Sequence, residues 1–100
     1  GATGATGATG PAGATRESGT AATIAAQSAN GTIATATVTC SSGVVLGGGA
    51  HVVNSGTMIG VPLSSYPSST TQWTAQAVIV SGGALTTGTT TVTPWVLCSQ

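Results

Sequence analysis

The sequence predicts an all-β fold: a small trimeric β-sandwich or barrel-like head that follows a triple-helical stalk. Three observations predict it. Residues 1–15, GATGATGATGPAGAT, are five Gly-x-y triplets in unbroken register. From Thr20 onward, apolar and hydroxyl residues alternate with period two between turn signals, as short strands do. The chain also holds 20 Thr and 11 Ser but only 18 Val, Ile and Leu together, and no Phe. So few large apolar residues would point to disorder in a highly charged chain, but here the formal net charge is zero. A neutral chain rich in β-formers has no self-repulsion to resist, which favours an ordered β domain.

The stalk comes first. Gly1, Gly4, Gly7, Gly10 and Gly13 recur every third residue, as a collagen-like triple helix requires, because only hydrogen fits where three chains meet at the axis. Ala or Pro11 fills the middle position and mostly Thr the third. At about 3.1 Å per residue, fifteen residues span roughly 45 Å. One proline in fifteen residues gives little stability alone, so the segment needs more triplets upstream or a neighbouring domain that gathers three chains. The plainer alternative is a flexible Gly/Ala/Thr linker. Because the chain starts in mid-repeat without Met, the sequence reads as a fragment or a processed product.

Residues 16–19 form a junction. Arg16 stands where the sixth glycine is due, and a side chain at the axis forces the strands to splay. Arg16 and Glu17 are the only residues charged at neutral pH. Across three chains Arg16 of one and Glu17 of the next can pair; an exposed, unpaired collar is the alternative.

The head is residues 20–100. The periodicity of TAATIAAQSA (20–29) is ambiguous, but Asn30-Gly31 is a strong hairpin signal. A hairpin pairing 21–29 with 32–40 is therefore expected. TIATATVTC (32–40) sets Thr35, Thr37 and Thr39 on one face and Ala34, Ala36, Val38 and Cys40 on the other. SSG (41–43) turns into VVLGGGAHVV (44–53), whose glycines imply a bulge, a bend or a close backbone approach. NSG (54–56) turns into TMIGVPL (57–63), where Pro62 argues for an edge strand or a strand end. SSYPSSTTQ (64–72) reads as a loop. WTAQAVIV (73–80) alternates, with Trp73, Ala75, Ala77 and Ile79 facing one way. SGGALTTG (81–88) is a loop and TTTVTPWVLC (89–98) the last strand. About six short strands result.

Composition also excludes functions. Neutralising phosphates takes several Lys or Arg, and this chain has one Arg and no Lys, so nucleic-acid binding is not expected. The same lack removes electrostatic attachment to a membrane, and no apolar run reaches the roughly 18 residues of a span. With one Glu, no Asp and one His, neither an acid–base pair nor a Ser-His-Asp array can be assembled in one chain, so no catalysis and no cofactor are expected.

Cys40 and Cys98 each end a predicted strand. An oxidised pair suits a small, uncharged, loop-rich domain outside the cell or on a virion. Two buried free thiols are the alternative, and no spacing supports a metal site. Three copies of His51 around a threefold axis can in principle hold a metal through three nitrogens; an isolated strand histidine is the plainer reading. Tyr66, Trp73 and Trp95 are the only aromatics. Both tryptophans suit the core or a subunit interface, and Tyr66 an exposed contact that can stack on a sugar.

The runs TVTCSSGVVLGGGA (37–50), SSYPSSTTQW (64–73) and VTPWVLC (92–98) resemble a small β domain recurring in bacterial and phage collagen-like proteins. The matching positions are Cys40, Gly43, Gly47, Gly48, Gly49, Ala50, Ser65, Tyr66, Pro67, Trp73 and Cys98, in order across most of 20–100. Ser41-Ser42 departs from a frequent Pro-Ala, and a lysine often following the glycine is missing. The resemblance implies a trimerising head at the end of a stalk, and it carries over no activity and no binding residues.

The expectation is therefore a non-enzymatic structural component, the homotrimeric head of a fibre or spike from a phage virion or a bacterial surface. Its expected partners are itself, other virion or surface-fibre proteins and, through its tip, a host-surface glycan. A carbohydrate-binding adhesin module and a phage capsid decoration protein are the alternatives.

Overall fold

A computed structural model describes residues 13–100. Of the expected stalk glycines, Gly1, Gly4, Gly7 and Gly10 lie outside the described residues. Seven strands make up the head: β1 (Ala14–Ser18), β2 (Ala22–Ile24), β3 (Ile33–Thr39), β4 (Val45–Asn54), β5 (Ile59–Pro67), β6 (Gln72–Ser81) and β7 (Thr90–Ser99). Every pairing is antiparallel. In one sheet β7 is central, with β4 along one side and β1 then β2 along the other. The second sheet runs β3-β6-β5. The fold is an all-β sandwich, as the alternation predicts.

Small residues fill the middle of the sandwich: Ala36, Ala75, Ala77 and Val92 form one buried cluster. Val38, Cys40, Val96 and Cys98 form a second at the end where β1 begins, and Ile24, Met58 and Ile79 a third at the opposite end. The inward sets read from the sequence hold for β3 and β6, where Ala36, Val38, Cys40, Ala75, Ala77 and Ile79 are all buried. Cys40 and Cys98 form a disulfide, with Cα atoms 5.8 Å apart and a sequence separation of 58. It ties the end of β3 to β7 and thus one sheet to the other.

The expected hairpin between 21–29 and 32–40 does not form. β2 pairs with β7, and β3 pairs with β6. Asn30-Gly31 does make a turn, closed by the Thr32 N–H donating to the Ala29 carbonyl at 3.2 Å. Only Gly31 has positive φ (89°), however, and Asn30 does not. A tight two-residue hairpin of the favoured kind needs positive φ at both positions, whereas one positive φ at the second gives a turn that splays its arms. The chain therefore crosses from one sheet to the other.

Two further segments differ from expectation. β5 continues through Ser64, Ser65, Tyr66 and Pro67, which the sequence placed in a loop. The strand survives its prolines because it is an edge, and the register shift between Pro62 and Ser64 absorbs the irregularity. β1 takes in Ala14 and Thr15 of the fifth triplet and Arg16–Ser18 of the expected junction. Its backbone pairs with Trp95–Ser99, and Gly13 has φ of 80°, far from the polyproline value.

Pro94 lies in the central strand, where a proline ought to break a ladder. The chain solves this by a gap. Pro94 offers its carbonyl to the Gly19 N–H at 2.9 Å, so its nitrogen points to the same side, where β1 has ended and β2 has not begun. The missing donor falls at the end of β1, and the pairing with β4 on the other side runs on through Ala50.

Candidate ligand-binding face

The three glycines of β4 show how the site is built. Successive residues of a strand face opposite sides. Gly48, paired with the buried Val96, faces inward, and a Cβ there would lie 2.5 Å from the Trp73 ring. Gly49, paired with Trp95, faces outward, and a Cβ there would lie 2.6 Å from that indole. A register shift between Val45 and Gly47 adds a bulge. The bulge and the close approach expected of this run are both present, and each tryptophan has its own glycine to lie on.

Trp95 therefore rests flat on the outer face of the β7 sheet. Arg16, from β1 on the other side of β7, lays its guanidinium over the same ring, 4.8 Å from the centroid. His51 of β4 stands opposite Thr93, one row further along. Arg16, Ser18, His51, Thr93 and Trp95 line a cleft of about 270 Å³. The cleft thus gathers the only arginine and the only histidine of the chain with one of its two tryptophans.

Glu17 is turned away from it. Arg16 and Glu17 are neighbours in a strand, so they leave on opposite faces. The Ser41 hydroxyl and the Ser41 N–H, the latter at 3.1 Å, both donate to the Glu17 carboxylate. The Ser41 hydroxyl first, then its backbone N–H, hold the Glu17 carboxyl below the usual carboxylate range. The chain has no other acidic side chain. Among the described residues, Arg16 consequently has no carboxylate partner within the chain, and the Trp95 indole N–H has no acceptor. The Trp73 indole, by contrast, donates to the Ser65 hydroxyl at 2.8 Å.

A second, larger cavity of about 480 Å³ opens at the end of the sandwich where β1 begins. It is apolar, with Val44, Leu46, Pro67 and Trp73 in its walls, and Val44 and Leu46 are exposed. Tyr66 is 45% exposed, as an external contact requires, but it lines neither cavity. It pairs with Thr74 in the other sheet. Cys40 and Cys98 are joined and buried, structural rather than reactive. Among the described residues, no three of His, Cys, Asp and Glu stand close enough to hold a metal.

The Arg16–His51–Trp95 grouping escaped the sequence reading because its members come from three strands that are not consecutive in the chain. Strand parity held part of the signal: TTVTPWVLC sets Trp95 on one face with Thr91 and Thr93. The pairing of β1 and β4 to either side of β7 had no signal at all. No protein-family model, curated protein or solved structure matches this chain.

Proposed function

We propose that the chain is a non-enzymatic structural protein, the homotrimerising head of a collagen-like fibre or spike on a virion or bacterial surface. The observation that carries this reading is the Gly-x-y register, which calls for two further chains and runs directly into β1, whose first two residues belong to the fifth triplet. A stalk of three chains delivers three heads side by side at the end where β1 begins. The apolar cavity with Val44, Leu46 and Trp73 opens at that end, and zero net charge leaves nothing to hold the copies apart. The cross-sheet disulfide is compatible with an extracellular location or an exposed particle surface.

Light scattering on the full chain tests the proposal. The expected mass is that of three chains, and Leu46→Asp, which puts a charge on the apolar rim, shifts it towards one. A monomer at every concentration overturns it.

A further inference from the structure

The geometry points to the Arg16–His51–Trp95 cleft as a binding site for an acidic saccharide, one carrying a carboxylate or a sulfate. The site lies within one chain and does not depend on trimer formation. Three features of the cleft carry the inference.

Donors converge in it and acceptors of full charge are missing. The guanidinium of Arg16 offers a rigid fork of N–H groups matched to a planar or tetrahedral oxyanion. Held over the Trp95 ring, it loses little further freedom when a ligand binds. The Trp95 indole N–H adds a donor that no described residue uses. The one carboxylate able to compete from within the chain, Glu17, is on the opposite face and engaged by Ser41.

The lining also selects the rest of the ligand. Besides Arg16, His51 and Trp95, the walls are the hydroxyls of Ser18 and Thr93, and no aliphatic side chain takes part. An apolar peptide finds no partner here, unlike in the Val44–Leu46–Trp73 cavity. A polyhydroxyl ring finds hydroxyls that both donate and accept. Nucleic acid is a poor occupant, because a single cationic side chain neutralises too few phosphates.

Finally, the sequence maintains the arrangement at a cost. Gly49 weakens a strand interior, yet any side chain there meets the indole that supports Arg16. Trp95 on an outer face is likewise unneeded for the core, whose large buried members are elsewhere.

Titration calorimetry of the full chain tests the site, with an oligogalacturonate, its carboxyl-reduced neutral counterpart, a sulfated oligosaccharide and inorganic phosphate as probes. The indole N–H signals are followed by NMR alongside. Saturable binding of the charged saccharides with a shift of the Trp95 indole signal is expected. The neutral counterpart binds at least tenfold more weakly, and affinity falls as salt rises. Arg16→Gln lowers affinity at least tenfold, and Arg16→Lys lowers it severalfold because the charge stays but the fork is lost. Arg16 is exposed, so both variants keep the far-UV circular dichroism of the parent. Undiminished binding by Arg16→Gln overturns the site, as does loss of binding in Tyr66→Ala with Arg16→Gln unaffected. Phosphate binding as tightly as the saccharides overturns the saccharide assignment. Failure of both charged saccharides to bind overturns the assignment while leaving the light-scattering result, and hence the trimer reading, untouched.

Discussion

The two ends of the sandwich are held together differently. At the end where β1 begins, a covalent bond and an aromatic ring do most of the holding: Cys40–Cys98 crosses between the sheets, and Trp73 lies on Gly48 above Val38 and Val96. At the far end there is neither. A methionine and two isoleucines form the apolar plug, and around it the loops are tied by hydroxyl and amide side chains. Asn54 is the hub of these ties. Its amide donates to the Gly60 carbonyl at 3.0 Å, and its oxygen accepts from the Gly60 N–H at 2.8 Å and from the buried Thr90 hydroxyl. Ser55 with Thr89, and Thr57 with Thr87, exchange further bonds of 2.9 to 3.0 Å. A chain almost without charge and poor in large apolar residues thus uses two substitutes for a bulky core, a cross-link at one end and a polar mesh at the other.

The largest expected effect falls on the cross-linked end. Replacing both cysteines by serine frees a loop of 58 residues in the unfolded chain and should cost about 4 kcal/mol on the chain-entropy account. Thermal unfolding by circular dichroism should show a midpoint lower by about 15 °C or more. A shift of only a few degrees would mean that Trp73 and its neighbours hold this end unaided. At the far end Met58→Ala should cost about 3 kcal/mol, because a fully buried side chain leaves a cavity that strands can close only in part. If denaturant unfolding shows under 1 kcal/mol, the polar mesh rather than the plug secures that end.

Asn54→Ala probes the mesh itself. It leaves the Gly60 N–H and the fully buried Thr90 hydroxyl without a partner, at an expected cost of about 2 kcal/mol. Amide exchange should quicken first in 54–60 and 87–90, sparing Cys40 and its surroundings. Uniform quickening would show that the two ends do not unfold separately.

The smallest effect concerns Glu17, on the cross-linked end. Its folded-state carboxyl titrates below the ordinary value of 4.5, so its contribution is present above that pH and is lost as pH falls through the folded value. Stability should therefore decline slightly on acidification below about pH 4.5, and Ser41→Ala, which removes the larger cause, should flatten the decline. An unchanged acid slope in that variant would show the hydroxyl contact to be inconsequential in solution.

Much of the architecture was legible in the residues. Alternation in TIATATVTC and WTAQAVIV fixes which side of β3 and β6 is buried, because a pleated strand has a period of two whatever it pairs with. The glycines at 47–49 announce a bulge and close contacts, and Pro62 marks an edge. Strand pairing, by contrast, is information that local sequence does not hold. Asn30-Gly31 fixes a turn, but whether its arms pair depends on the φ of Asn30, which the neighbouring β6 strand and the Gly82 N–H bonded to the Asn30 side chain decide. Ser64–Pro67 has the composition of a loop and becomes a strand because β6 presents unpaired backbone beside it.

By itself, then, the sequence determined an all-β fold, the faces of its strands, the shortage of charge, and the pair of cysteines available for a bond. Tertiary structure alone decided which strands are neighbours. That choice brings Arg16, His51 and Trp95 to one cleft from positions up to 79 residues apart, and it sends Glu17 to the other side. The reason is physical: side-chain direction is set by strand period within a few residues, whereas strand partners are chosen by the packing of the whole sandwich.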